Sequence, residues 1–427
     1  MNFLNDLKIR GLINNTYSSV SNSWCYFNEF VLIKQKIKTI FLEELAQPWI
    51  VNCETPILTP KQNLQYSEHI KNFNEFYAIC SICKGKKNSK EITCCGLTLK
   101  FDLFQNEMFK IEDNTLFLRP QTCVGLFACV SYLDYFFRQK SLFGLLQIGK
   151  SFRKEYSSNN KLFRLKEFEQ IELELILNNK FYKPLDKIEM NLKFNYEDKI
   201  VDLTFFEKTD FSSEQSYNCF LYFFAKFLKI LDGFQLQWKL VKIPEKDLPH
   251  YSKLSFDILA KFQDKQIELA TLSDRGNFDL THYLKLDTLS QRSVIEFSFG
   301  LERLTYCVLE KYIKNEKETF YLKDCKENAV IIKEKNLAVP YDILVFNSNT
   351  SLNINEISYL KNVFIEQDKK KFIHKANYSS IIVNLDIIQK MDQKEQFFES
   401  ILKDINLLEE YKYKIGVIFK LLKSKNS

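Results

Sequence analysis

Apolar residues recur at helical spacing in FVLIKQKIKTIFLEEL (30–45), which predicts a helix within a helical opening of residues 1–60, closed by a short strand entering CETPILTP. TCVGLFACVSYLDYFFRQ (122–139) reads as a second helix. Two strand-like runs follow, GLLQIGKSFRKEY (144–156) and EFEQIELELIL (167–177), joined by the polar SSNNKLF, so the pattern predicts a long hairpin. Residues 177–250 are mixed and contain one strongly apolar helix, CFLYFFAKFLKIL. Strand signals return at FDILAKF, QIELATL and SVIEFSF, and the last runs directly into an amphipathic helix, GLERLTYCVLEKYI. Most strands therefore lie between 53 and 300, the layout of an antiparallel α+β core. After about 325 the texture changes to a strand, AVPYDILVFN, and lysine-rich helical segments. The expected division is 1–325, with insertions at 75–110 and 177–250, and a smaller domain, 326–427.

Alternation sorts the hairpin into two faces. Ile171, Leu173 and Leu175 share one; Phe168, Gln170, Glu172 and Glu174 share the other. Arg153 and Glu155 have equal parity on the preceding strand, and Glu296, Ser298 and Gly300 oppose the apolar Ile295, Phe297 and Phe299. If the sheet is covered on both sides, these polar groups are desolvated, which is costly unless they bind something. A solvated outer face is the other reading that alternation permits. Gly300 leaves room at a helix entrance, with Arg303 in the first turn.

Composition adds limits. A chain of 427 residues, 45% hydrophobic and 27% charged, is globular and long enough for two or three domains. A formal net charge of +6 fits a polyanionic partner such as RNA without requiring one. The eleven cysteines are an odd count, and Cys129, Cys219 and Cys307 stand singly in apolar surroundings, as reduced thiols of a cytoplasmic protein do. The opening MNFLNDLKIRGLINN lacks a signal-peptide core, and no apolar stretch has spanning length, so neither secretion nor a membrane segment is expected. Cys80, Cys83, Cys94 and Cys95 cluster beside KGKKNSK and form a candidate zinc site, with free thiols the alternative.

The polar positions follow a pattern. FRKE (152–155) has the form F-R-x-E; Arg164, Phe168 and Glu172 have the form R-x-x-x-F-x-x-x-E; GLER (300–303) has the form G-x-x-R. In this order, on these elements, the set resembles the motifs of class II aminoacyl-tRNA synthetases. Over roughly residues 1–325 the chain is similar to the glycyl members. LRPQTCVGLF resembles L-R-P-E-T-A-Q-G-I-F, LFRLKEFEQIELE resembles L-x-R-x-R-E-F-E-Q-x-E-x-E, and VIEFSFGLER resembles V-I-E-P-S-F-G-L-x-R. NLAVPYDILVF is similar to the start of the family's anticodon-binding domain.

The resemblance implies an antiparallel class II sheet flanked by helices, a reduced α/β anticodon-binding-like domain, and a homodimer. It implies ATP and Mg²⁺ as cofactors, activation of glycine to the adenylate, and transfer to tRNA(Gly). Arg153 and Arg303 would be the catalytic pair. Arg153 would meet the α-phosphate, Arg164 the γ-phosphate and Glu155 the adenine amino group, with adenine between Phe168 and Arg303. Lys154, Phe163, Leu269 and Gly300 would complete the ATP site, and Glu268 would hold Mg²⁺ with the phosphates. Gln121, Phe168, Gln170, Glu172, Glu296 and Ser298 would frame glycine, and Arg275 would be a structural or carboxylate-side contact. Gln121 stands where the family has glutamate, Val124 where it has glutamine, Phe297 where it has proline, and Ala270–Thr271 where it has an acid–glycine pair. Two other readings stay open, a non-catalytic nucleic-acid-binding or polymerase-accessory paralogue and a class II enzyme for another small amino acid.

Overall fold

In the computed structural model the described residues are 3–15, 22–84, 86–88, 93–100, 103–112, 115–136, 142–154, 162–178, 185–284, 292–314, 330–332, 341–346, 363–366 and 379–384. They fall into two compact units. Residues 1–27, 38–232 and 236–307 belong to the first, and residues 28–37, 233–235 and 308–427 to the second.

The first unit is built on a nine-stranded sheet. In chain order its strands are β1 (Ile50–Asn52), β2 (Leu142–Phe152), β3 (Glu167–Asn178), β4 (Lys193–Tyr196), β5 (Lys199–Asp202), β6 (Trp238–Lys242), β7 (Leu254–Phe262), β8 (Lys265–Gly276) and β9 (Arg292–Gly300). In space the order is β5-β4-β6-β7-β8-β9-β3-β2-β1. β1 on β2 and β4 on β6 are parallel, and the other neighbours are antiparallel. The predicted hairpin is β2 and β3, in unbroken register from Leu142 opposite Leu177 to Phe152 opposite Glu167. β2 ends at Phe152, so strand parity does not extend to Arg153, whose backbone N–H donates to the Lys166 carbonyl at 3.0 Å. The stretch read as a mixed insertion supplies β4 to β6 and a helix of the core.

Both faces of this sheet are covered. Helix α2 (Glu214–Gly233) follows α1 (Cys123–Phe136) in the chain and buries most of its side chains, leaving Glu214, Lys229 and Asp232 exposed along a polar stripe. Its phenylalanines meet the apolar set of β9: the Phe297 ring lies 4.8 Å from Phe227 and 5.7 Å from Phe220, and Phe299 lies 4.9 Å from Phe227. Each such ring contributes about 1.5–3 kcal/mol by burial. Leu126, Phe127 and Val130 of α1, with Leu280 of α3 (Phe278–Leu284), cluster with Leu145, Ile176 and Val294 of the sheet. Gly300 closes β9, and α4 (Leu301–Lys314) starts at the next residue.

Residues 74–106 form a three-stranded antiparallel sheet (Asn74–Ile79, Lys86–Asn88, Leu103–Asn106) and a short hairpin, Thr93–Cys94 with Leu97–Thr98. In the second unit the described strands form a four-stranded sheet ordered Val330–Ile332, Ser379–Asn384, Tyr341–Phe346 and Val363–Glu366, the last three parallel. The lysine-rich helices expected after 385 lie outside the described residues. Among the described residues no helix is long and apolar enough to cross a membrane.

Candidate functional site

The polar sides of β3, β7, β8 and β9, with the first turn of α4, line a cleft of about 1050 Å³, open mouth included. Its walls bring together Gln121, Arg153, Phe163, Phe168 and Gln170 with Glu268, Leu269, Glu296, Ser298, Gly300 and Arg303. Lys154, Arg164 and Glu172 do not line it, and Glu155 lies outside the described residues. Lys154 sits instead over the Phe109 ring, 5.6 Å from its centroid, and Arg164 is half-buried.

One group of side chains is cationic and aromatic. The Arg153 Nε donates to the Pro120 carbonyl at 3.1 Å, and its guanidinium lies between the rings of Phe73 and Phe168, at 4.9 and 5.2 Å from their centroids. Arg303 donates through Nη1 to the Glu268 carbonyl and to its Oε1, both at 2.9 Å, and through Nε to the Phe163 carbonyl at 3.4 Å. A Cβ at Gly300 would meet the Arg303 Cδ at 3.3 Å, so glycine there keeps the first turn of α4 open. Glu268 thus begins as the partner of Arg303, with half of its side chain exposed. Asp257, on the adjacent strand, accepts from Thr271 Oγ1 at 2.8 Å, and burial together with the Glu268 charge pushes its carboxyl up to about 6. Two neighbouring carboxylates offer hard oxygen ligands of the kind a divalent cation takes.

The second group is acidic. Glu172, Glu174 and Glu296 are all buried on one face, with Glu174 directly opposite Glu296 and Glu172 opposite Ser298. Glu172 accepts from Thr122 Oγ1, from Gln170 Nε2 at 2.9 Å and from Ser298 Oγ at 3.0 Å. It therefore stands behind the wall and holds two of the residues that form it. Glu296 pairs with Arg275 at 2.9 Å, and Arg275 also grips Asp279 with two bonds of 2.6 and 2.8 Å. Burial pushes the Glu296 carboxyl up to about 7 against the pull of Arg275. Among the described residues Glu174 has no hydrogen-bond partner for either oxygen, and burial beside Glu296 pushes its carboxyl well above its ordinary range. Of the two roles open to Arg275, the structural one is observed: it is buried, ion-paired, and stacked 3.7 Å from the Tyr251 centroid.

Sequence reasoning missed Asp257 and Arg119 as parts of this site. Asp257 had a usable signal, because Leu254, Phe256, Ile258, Ala260 and Phe262 alternate as the buried set of β7 and leave it on the cleft side. Arg119 had none that alternation could show. It is buried and donates to the Thr55 carbonyl and hydroxyl, both at 2.8 Å, and to the Lys150 carbonyl at 2.7 Å, fixing the turn that carries Gln121. Apart from the cleft, the thiols of Cys80, Cys83, Cys94 and Cys95 converge: all four sulfurs lie within 4.8 Å of one another, with Cys83–Cys94 at 3.7 Å and Cys94–Cys95 at 3.8 Å. Of the lone cysteines, Cys219 and Cys307 are buried and Cys129 is half-buried.

Residues 105–312 match the family described as tRNA synthetase class II core domain (G, H, P, S and T), so the chain carries a class II synthetase core. The folds agree. A prolyl-tRNA synthetase of Giardia lamblia, solved with prolyl-adenylate, superposes with a TM-score of 0.57 over 91% of this chain and 70% of its own, at 13% identity. Glycine–tRNA ligases are among the proteins similar to the chain. That of Malacoplasma penetrans (strain HF-2) is 28% identical over 389 residues, 79% of this chain and 76% of its own. That of Mycoplasma pneumoniae (strain ATCC 29342 / M129 / Subtype 1) is 29% identical over 344 residues, 70% and 69%.

Proposed function

We propose that this chain is a glycine–tRNA ligase, which activates glycine with ATP and transfers the glycyl group to the 3′ end of tRNA(Gly). The observation that carries the reading is the juxtaposition in one cleft of two arginines, Arg153 and Arg303, with a small acceptor-rich wall formed by Gln170, Glu296 and Ser298. The arginines suit a polyphosphate; the wall suits an ammonium group. The glycine–tRNA ligases to which the chain is similar support the choice of amino acid.

Arg153 neutralises charge at the α-phosphate as the amino-acid carboxylate attacks, and the Phe73 and Phe168 rings hold its guanidinium in place. Phe163, Phe168, Leu269 and Gly300, which line the cleft with Arg303, would take the adenine, and Lys154 and Arg164 are not part of that lining. Glu268 and Asp257 are the residues that would hold Mg²⁺, which supplies charge neutralisation at the phosphates. Glu296 and Ser298 receive the ammonium, while Glu172, tied to Gln170 and Ser298, keeps that wall in position. Covalent work by side chains is slight; orientation and charge stabilisation carry both steps.

Pyrophosphate exchange from ATP, run with each amino acid in turn, tests the reading. Glycine-dependent exchange is expected, and exchange with none of them would overturn it, leaving a non-catalytic paralogue.

The four cysteines are a structural zinc site in this reading. Tetrahedral Zn–S bonds of about 2.3 Å put thiolates about 3.8 Å apart, the spacing seen for Cys83–Cys94 and Cys94–Cys95. The backbone amides of Cys83 and Ile82 draw the Cys80 thiol down, while burial and the neighbouring thiols push Cys94 up. One zinc per chain by elemental analysis, lost in Cys83→Ser, is expected. A cytoplasmic homodimer completes the proposal, by resemblance to the homodimeric glycyl enzymes.

A further inference from the structure

The two glutamines of the cleft are held in opposite senses. Gln170 is buried, and its Nε2 is spent inside the protein, donating to Glu172 Oε1 at 2.9 Å and reaching Ser298 Oγ at 3.4 Å. Its Oε1 has no partner among the described residues although it is buried against the cleft. An orphaned buried carbonyl is costly, so this acceptor is waiting for a donor from the ligand.

Gln121 is fixed the other way round. The neutral ring of His69, which is buried, donates from Nε2 to Gln121 Oε1 at 2.8 Å while its Nδ1 faces Ser67 Oγ at 2.6 Å. Burial holds His69 down to about 3, so the ring has one N–H to give. The Cys123 thiol donates to the same oxygen at 3.5 Å, and burial keeps that thiol protonated. Both lone pairs of Gln121 Oε1 are therefore engaged. What remains for the cleft, which Gln121 lines, is the amide Nε2, a donor. The residue before it, Pro120, accepts from Arg153, so this donor stands next to the guanidinium.

We infer that Gln121 is a specificity-determining contact for the acyl end of the substrate, its Nε2–H donating to a carboxylate or acyl oxygen, whereas the ammonium is read by Gln170 Oε1, Glu296 and Ser298. Donors (Gln121 Nε2, Arg153) line one wall and acceptors the other, so the pocket orients a zwitterion head from tail. The inference rests on the proposal that an amino acid is the substrate.

The experiment is a charge swap read as a KM. Under this assignment Gln121→Glu sets a carboxylate against the carboxylate of the substrate, and the KM for glycine in pyrophosphate exchange rises at least tenfold, with the melting temperature held. If position 121 faced the ammonium, the added charge would lower the KM, and a fall or no change overturns the inference. Should Gln121→Glu fail to fold, Gln121→Met decides, with ethylamine as a competitive probe that carries the ammonium and no acyl oxygen. A raised KM for glycine with an unchanged Ki for ethylamine is expected; equal weakening of both, or loss of ethylamine alone, overturns it. A wild-type protein that exchanges with no amino acid would sink the underlying reading, whereas one that exchanges while Gln121→Glu binds glycine better would sink this inference alone.

Discussion

Strand β3 is buried on both sides, yet its two faces are held by different physics. On one, Leu173 lies opposite Phe297 of β9 beneath the phenylalanines of α2, and stability there is a matter of area and fit. On the other, four acids, Glu172, Glu174, Glu296 and Asp279, are buried near Arg275, which is ion-paired with two of them. Carboxylates taken out of water are a cost unless paired. The apolar face stabilises the fold; the acidic face spends some of that stability on a wall that attracts a cation. Removing one central residue from each face separates the two contributions. Phe297→Ala is expected to cost about 3–5 kcal/mol in denaturant unfolding, the same at pH 5 and pH 8, because only packing is lost. Arg275→Met is expected to cost about 3–5 kcal/mol near neutrality by stranding Asp279 and Glu296. That cost shrinks as pH falls and the stranded acids protonate. Equal pH profiles for the two variants would erase the distinction.

The next effect concerns catalysis rather than stability. Arg153 is only half-buried, held by aromatic rings and one carbonyl, so Arg153→Ala is expected to leave the melting temperature within a few degrees. Loss of one preorganised transition-state donor slows glycine-dependent exchange roughly 10²–10³-fold. A large loss of stability instead would make Arg153 a structural residue.

Alternation along β3 and β9 was enough to read the division between these faces. The set Gln170, Glu172 and Glu174 against Ile171, Leu173 and Leu175 follows from a period of two, which needs no tertiary information. Of the two outcomes that alternation left open, the covered sheet is the one found, because α1 and α3 arrive from elsewhere in the chain. Register was not legible either. That Glu174 opposes Glu296, and Glu172 opposes Ser298, depends on which strands meet across more than a hundred residues. Orientation within a side chain is less legible still. Gln121 shows only an amide in the sequence, and its polarity toward the cleft is set by His69 and Cys123, one of them 52 positions away. Arg153 shows the limit of parity itself, since β2 ends one residue before it.

Glu174 offers a smaller and more graded test of the acidic face. Its carboxyl is held above its ordinary range, so the folded protein keeps a proton that the unfolded chain releases once pH passes the usual carboxylate value. Stability on this account is full below that value and falls as pH rises toward the folded pKa, by about 1.4 kcal/mol per pH unit while only the unfolded form is ionised. Glu174→Gln cannot ionise and lacks that slope. Urea midpoints of variant and wild type should coincide near pH 4 and diverge in favour of the variant above pH 5. Parallel curves would mean that Glu174 is ionised in the fold.

The smallest effect belongs to the end of the hairpin where the contrast between faces disappears. Lys150 of β2 and Glu167 of β3 form an ion pair whose side chains are 55% and 46% exposed, beyond the cover of either layer. Water and salt screen such a pair, and holding two long side chains together offsets part of the attraction. Lys150→Ala should therefore change stability by less than about 1 kcal/mol, with the difference gone at about 1 M salt. A loss comparable to that of Arg275→Met would show that this end of the hairpin is also buried, and the division of β3 into a stabilising face and a costly one would then have to include its exposed tip.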